Sequence, residues 1–291
     1  MKEKTLIVVT GPTGVGKTEA TLRLAEHFGV PVINADSRQI FAEIPIGTAA
    51  PTRHYFVGNH HLDDYYSASL FEEDVLKIIN EASSKVSLLS GGSMMYIDAV
   101  CKGIDDIPTI RPEVRQEMMQ LLESEGLEKM CELLHEWDPE HWAVVDRNNP
   151  RRVIHALEIC KQTGRTYTSF RSNTIKERPF NIIKIGLNRD RETLYQRINQ
   201  RVLQMIDDGM IEEAQRVYPK RTLNSLNTVG YKELFEYLDG LTTLDEAIFK
   251  IQSNTRRYAR KHTWYKRDAE MTWFSPDNIE EILNYLSTIS L

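Results

Sequence analysis

This 291-residue sequence predicts an α/β protein: a parallel β-sheet core with helices on both faces and a helical insertion. Three observations predict it. Five short apolar runs alternate with stretches of helical periodicity. The first run passes directly into a glycine-rich loop. Between the third and fourth runs lie about ninety residues with little strand signal. Strand–loop–helix–strand order implies parallel pairing, because parallel neighbours need a crossover and the crossover is usually a helix.

TLIVV (5–9) is continuous, apolar and β-branched, as expected of a strand buried on both faces. GPTGVGKT follows, then TEATLRLAEHF with helical apolar spacing, then Gly29 as a stop. VPVIN (30–34) is a second strand, ending in ADSRQ, and residues 70–82 read as a helix. KVSLLS (85–90) is a third strand closed by Gly91 and Gly92, IIKIGL (182–187) a fourth and MTWF (271–274) a fifth. Residues 112–135 show helical spacing with an acidic outer face, and 150–162 form another helix. The expected organisation is a core of residues 1–110 with 180–291 and an insertion of 111–179. Residues 191–218 and 242–266 read as long helices. Leu194, Ile198, Val202, Met205 and Ile206 mark the buried stripe of the first.

Apolar residues make up 41% and charged residues 27%, which excludes disorder and low-complexity scaffolds. No window approaches the roughly 18 apolar residues of a membrane span. The N-terminal apolar run enters a glycine loop, so it reads as a strand and not as a secretory signal. Cys101, Cys131 and Cys160 are odd in number and lack CxxC spacing, which suggests neither a disulfide framework nor a zinc site. A reduced, cytoplasmic monomer without membrane attachment is expected. The adjacent His60 and His61 read as structural, because neighbouring histidines rarely share one ion.

Net charge is −6, but it is unevenly spread. Residues 1–146 hold 12 Lys/Arg against 24 Asp/Glu, residues 147–267 hold 24 against 13, and residues 268–291 hold none against 5. Such a chain can present a basic face to a polyanion while remaining acidic overall; solvated helix faces are the alternative. Within residues 250–267, Lys250, Arg256, Arg257, Arg260, Lys261, Lys266 and Arg267 occur with no acid. Arg256, Arg260 and Arg267 share one helical face, and Tyr258, Trp264 and Tyr265 interleave, as expected for phosphate contact with stacking. Taken singly, Tyr258 and Trp264 read as core residues.

Gly11, Pro12, Thr13, Gly14, Val15, Gly16, Lys17 and Thr18 fit GxxxxGK[ST], between a buried strand and a helix, so the core reads as P-loop NTPase-like. Glycines let successive N–H groups point inward, and the helix N-terminus adds its positive dipole end. Lys17 supplies a cation to phosphate oxygens, and the Thr18 hydroxyl is placed to ligate Mg2+. Asp36 lies just beyond the second strand, where open α/β sheets bind ligands. It fits a general base, a metal ligand through water, or a helix cap. Ser37, Arg38 and Gln39 follow as a polar run able to read base edges and phosphates, or as a solvated loop.

The strings GPTGVGKT, NADSRQIF, IPIGTAAPT, NHHLDDYYSASLFEEDV, GGSMMYIDAV, NNPRRVIHALEI and VGYKELFEYLDG, in this order, resemble the tRNA dimethylallyltransferase (isopentenyltransferase) family from about residue 5 to about residue 270. The resemblance implies transfer of a dimethylallyl group from dimethylallyl diphosphate to the exocyclic amine of the adenosine 3′ to the anticodon. It implies that Asp36 accepts the amine proton, that Thr18 holds Mg2+, and that Lys17 neutralises the diphosphate. Ser37, Arg38 and Gln39 would contact the anticodon stem-loop, with Ser93, Arg115 and the 151–155 segment (Arg151, Arg152, His155) as further tRNA contacts. Family members usually have Arg two residues before Val-Gly-Tyr, where this chain has Asn227, with Lys232 or Arg221 as candidate substitutes. His155 replaces an Arg and Ser93 a Thr, and the zinc-finger tail of some relatives is absent. The alternatives are a P-loop kinase using ATP and Mg2+, an adenylate prenyltransferase, and a non-catalytic RNA-binding protein.

Overall fold

The structure, a computed structural model, describes residues 3–52, 54–171, 174–261 and 268–289. The chain forms two compact units: residues 1–102 with 177–291, and residues 103–176.

In the first unit, β1 (Thr5–Thr10) leads through α1 (Lys17–Phe28) to β2 (Val32–Asn34) and the short α2 (Pro45–Thr48). Then come α3 (Ala68–Glu81), β3 (Val86–Gly91) and α4 (Met94–Lys102). The five expected strands are present. All pair in parallel, in the order β2-β3-β1-β4-β5, with β4 at Asn181–Leu187 and β5 at Met271–Phe274. Every residue of β1 is buried, and Val8 lies between Leu89 of β3 and Lys184 of β4. The chain leaves β1 for β2 two places away, returns to β3, and then crosses to β4 on the far side. Winding therefore reverses at β1, and the crevice for a ligand opens beyond its C-terminal end. Ile7, Val9, Leu24, Leu88, Ile185 and Ile282 belong to the core that fixes this arrangement. Lys184 holds β5 in place through Asp268 (2.9 Å) and Glu270 (2.7 Å).

The second unit contains α5 (Pro112–Trp137), α6 (Pro139–Val144) and α7 (Pro150–Thr163) around Met118, Met130, Leu134, Val153 and Leu157. Gly126 interrupts α5 at φ 80°, where the spacing predicts an unbroken helix. Asp138 is buried and ties two segments together, accepting the His141 amide (3.0 Å) and the Thr168 amide (2.7 Å).

The rest of the first unit comprises α8 (Arg191–Asp207), α9 (Met210–Val217), α10 (Tyr231–Leu238), α11 (Leu244–Lys261) and α12 (Ile279–Thr288). The expected single helix over 191–218 is two helices, separated at Gly209 with φ 98°. Among the described residues, no helix is long and apolar enough to cross a membrane. Cys101, Cys131 and Cys160 are free thiols.

Candidate active site

The phosphate loop joins β1 to α1. Gly14 (φ 79°) and Gly16 (φ 112°, the N-cap) take the left-handed conformation that an L side chain resists. Loop carbonyls are held from outside. Arg197 Nε donates to Gly14 O (3.0 Å) and Arg189 Nε to Val15 O (3.3 Å), while the Arg189 fork grips Asp277 at 2.6 and 2.7 Å. Lys17 Nζ folds back onto Gly11 O (2.8 Å) and Pro12 O (3.0 Å). Burial, reinforced by the Arg201 charge, lowers the Lys17 ammonium to about 8, with Asp36 opposing. The loop is thus shaped for an anion.

Asp36 is placed by the sheet. Ala35 N donates to Ser90 O (2.7 Å) and Ser93 N to Ala35 O (3.1 Å). A Cβ at Gly91 would overlap the Ala35 carbonyl, so glycine there permits the close approach. Asp36 Oδ1 accepts the amides of Arg38 (2.9 Å) and Gln39 (3.4 Å). The cap and the cavity-facing roles therefore coexist: Oδ1 serves the turn, while Oδ2 makes no hydrogen bond among the described residues and Asp36 lines the cavity described below. Ser37 N donates to Ser93 Oγ (2.8 Å), Arg38 to Ser225 O (3.1 Å), and Gln39 Nε2 to Thr48 O (2.9 Å) and Ala49 O (3.2 Å). The polar run is a built turn, half-buried rather than a solvated loop.

A second set of residues holds the loop around α2. Glu213, fully buried, accepts the amides of Ile46 (2.9 Å) and Gly47 (2.8 Å) and the hydroxyl of Tyr231 (2.5 Å). Burial and the Glu213 charge push the Tyr231 phenol upward. Sequence reasoning missed Glu213, since an acid in a helical pattern reads as exposed. The strings IPIGTAAPT and VGYKEL meet through it.

The loop, the Asp36 turn and α8 enclose a cavity of about 580 Å3. Gly16, Lys17, Thr18, Asp36, Arg201 and Tyr258 are on its wall. A smaller cavity of about 130 Å3 shares Asp36, Arg201 and Tyr258 and adds apolar Ile198, Val202 and Ile251. His54 lines the larger one, and its buried Nε2 has no hydrogen-bond partner among the described residues; burial lowers its pKa. Arg197, Gln200, Arg201 and Gln204 also line it and were not foreseen. Their spacing of three and four residues makes a polar stripe beside the apolar one, a signal that reads equally as a solvated face. Tyr258 is 43% exposed and lines both cavities, which corrects its reading as core.

Other expected contacts lie elsewhere. Arg115, Arg151, Arg152 and His155 belong to the second unit, where Arg115 (3.4 Å) and His155 (3.6 Å) flank the buried Glu158. Arg256 bonds to Asn199 and to Ser253 (2.9 Å), and Arg260 is exposed. Trp264, Tyr265, Lys266 and Arg267 lie outside the described residues. Neither Lys232 nor Arg221, named as substitutes for an arginine at 227, lines either cavity; Arg221 lies over the Tyr218 ring at 4.4 Å. His61 pairs with Glu43 (3.2 Å) and His60 packs on Tyr66 (4.2 Å), a structural use of both. Among the described residues, no cluster of three His, Cys, Asp or Glu is arranged to hold a metal.

Residues 39–268 match the family model described as IPP transferase. The chain is 58% identical over 292 residues to tRNA dimethylallyltransferase 2 of Parabacteroides distasonis, covering 97% of this chain and 98% of that protein. It is 57% identical to tRNA dimethylallyltransferase 1 of Bacteroides fragilis, covering 98% of each. Among solved structures it is similar to the full-length tRNA isopentenylpyrophosphate transferase of Bacillus halodurans: TM-score 0.70, 35% identity, 99% of this chain and 96% of that one. A eukaryotic dimethylallyltransferase acting on tRNA shares the fold at TM-score 0.77 and 24% identity, covering 94% of this chain and 74% of that one.

Proposed function

From a chain that belongs to the IPP transferase family of tRNA dimethylallyltransferases, we propose a mechanism in which Asp36 and the phosphate loop divide the work of one cavity. The enzyme transfers a dimethylallyl group to tRNA. The donor in this reading is dimethylallyl diphosphate, and the acceptor is the exocyclic amine of the adenosine 3′ to the anticodon.

The amine is a weak nucleophile, because its lone pair is delocalised into the purine ring. As the amine nitrogen bonds to the allylic carbon, Asp36 Oδ2 takes the proton, which is worth ~10²–10⁴-fold. The carbon–oxygen bond breaks, and its electron pair passes to the diphosphate. Lys17 and the helix N-terminus stabilise that charge where it grows. The base must leave its stack, at a cost of a few kcal/mol that a single-stranded loop reduces.

Mg2+ fits this cavity as a hard cation that the Thr18 hydroxyl would hold beside the diphosphate. When bound it would neutralise diphosphate charge. Such a site needs one or two protein oxygens and not a dedicated cage. Ser37, Arg38, Gln39, Ser93, Arg115, Arg151, Arg152, His155, Arg256 and Arg260 are proposed tRNA contacts.

The observation that carries the reading is the shared cavity wall of Asp36, Lys17 and Thr18. The test is incubation with labelled dimethylallyl diphosphate, Mg2+ and unmodified tRNA, with AMP and ATP as parallel acceptors. Label in tRNA alone supports the reading. Label in AMP, or ATP-dependent phosphorylation, overturns it.

A further inference from the structure

The phosphate loop can turn its amides inward only while its carbonyls are held outward. Lys17 Nζ takes Gly11 O and Pro12 O, and Arg197 takes Gly14 O. Val15 O falls to Arg189, whose Nε donates to it at 3.3 Å. Arg189 precedes α8, is largely buried, and lines neither cavity. Its other two nitrogens form a fork on Asp277, Nη1 to Oδ2 at 2.7 Å and Nη2 to Oδ1 at 2.6 Å. Those hydrogen bonds hold the Asp277 carboxyl below its usual range. Asp277 sits on the turn between β5 and α12, and that turn is itself tied down. Asn278 N donates to Ser275 O (3.2 Å), and Asn188 N donates to Phe274 O (3.0 Å). Pro276 of the same turn backs Gly16, where an added Cβ would lie 3.3 Å from the proline Cβ.

We propose that Arg189 is a positioning residue: by holding Val15 O it fixes the Val15–Gly16 peptide plane and aims the Gly16 amide into the diphosphate site. The proposal rests on the reading of the loop given above. A trans peptide is planar, so its N–H points away from its C=O. Gripping Val15 O from outside directs the Gly16 N–H to the opposite side, and Gly16 lines the larger cavity. Gly16 has no side chain to restrain its own backbone, which makes an external hold on that plane necessary. The amide stands at the N-cap of α1, next to Lys17, where an anion is favoured. A donor fixed in advance stabilises the leaving group's charge without reorganising during the reaction. Asp277 acts one step further out, keeping the Arg189 guanidinium from swinging into solvent.

Arg189→Ala and Asp277→Ala test this. Arg189→Ala should lower kcat/KM for dimethylallyl diphosphate by ~10–10²-fold, the size of effect of a misplaced contact. Part of that loss should appear as a donor KM raised at least about threefold, with the KM for tRNA within about twofold of the parent. Loss of folded enzyme alone would lower kcat and leave the donor KM unchanged. Calorimetry with inorganic diphosphate gives a readout without turnover, and Arg189→Ala should weaken that binding about tenfold. Asp277 is 67% exposed, so Asp277→Ala should melt within about 4 °C of the parent. It should still weaken diphosphate binding at least about threefold, and by less than about 1.5-fold once Arg189→Met is in place, because it acts through that side chain. Donor KM and diphosphate affinity within about twofold of the parent in both single variants would overturn the proposal. So would an Asp277→Ala effect of equal size with and without Arg189. A parent enzyme that binds diphosphate yet labels no tRNA would instead sink the transfer reaction, and the calorimetric cycle would still judge Arg189.

Discussion

Glu213 accepts the backbone amide of Gly47 at 2.8 Å, and so ties the loop beyond β2 to a helix 166 residues away. The same carboxylate takes the Ile46 amide and the Tyr231 hydroxyl. Glu213→Ala would remove the acceptor from the half-buried Ile46 and Gly47 amides and the shorter of two acceptors from the buried Tyr231 hydroxyl. A loss of about 3 kcal/mol or more is expected, against about 1 kcal/mol for Tyr231→Phe. Urea unfolding of both variants measures this; a Glu213→Ala change below about 0.5 kcal/mol would show that the loop is held by other means.

Asp36 caps its own turn through Oδ1, so alanine removes two functions at once. Asparagine separates them, because its carbonyl oxygen can still accept the Arg38 and Gln39 amides but cannot take a proton. Asp36→Asn should lower kcat by ~10²–10⁴-fold with tRNA affinity and melting temperature preserved. Single-turnover transfer is the measurement. Activity near that of the parent would leave Asp36 with the cap alone.

Lys17 titrates at about 8 in the ligand-free protein, below its ordinary 10.5. A bound diphosphate favours the ammonium and raises that value. Binding should therefore take up a proton between about pH 8 and 10, and affinity should fall as pH rises through 8. For folding the sign runs the other way. The unfolded chain keeps the Lys17 proton up to 10.5, so this residue's contribution to stability increases with pH between 8 and 10.5. Calorimetry at pH 9 in two buffers of different ionisation enthalpy reads the uptake, which Lys17→Met should abolish. Equal heats in both buffers would contradict the linkage.

The two arginines proposed for tRNA on α11 should behave differently. Arg256 is knit to Asn199 and Ser253, and its guanidinium lies 5.9 Å from the Tyr195 ring centroid. Its removal should cost about 1 kcal/mol of stability. Arg260 is exposed, and Arg260→Ala should reduce the salt slope of tRNA binding by about 1. Filter binding across a salt series decides it; an unchanged slope would take Arg260 out of the interface.

β1, β2 and β3 were legible because a strand buried along its whole length reads as a short, mostly apolar run, while β4 and β5, only partly buried, were legible as short apolar runs late in the chain. The phosphate loop and Asp36 were legible from spacing and from position at strand ends. Long-range polar pairing was not. Glu213, Arg201 and Tyr258 sit in helices where a charged or aromatic residue looks the same whether it faces solvent, a cavity or a loop far along the chain. The break at Gly209 was hidden as well, since apolar spacing continues across it.

The close seating of Gly91 on Ala35 reaches beyond local packing. The Asp36 turn and the phosphate loop are anchored to the ends of β2 and β1, with β3 between them. At about 4.8 Å per strand, their attachment points are about 10 Å apart before either substrate arrives. In the reaction proposed above, the sheet thus acts as a ruler between leaving group and acceptor. A side chain introduced at position 91 would be felt as altered reach, with every reactive group still intact.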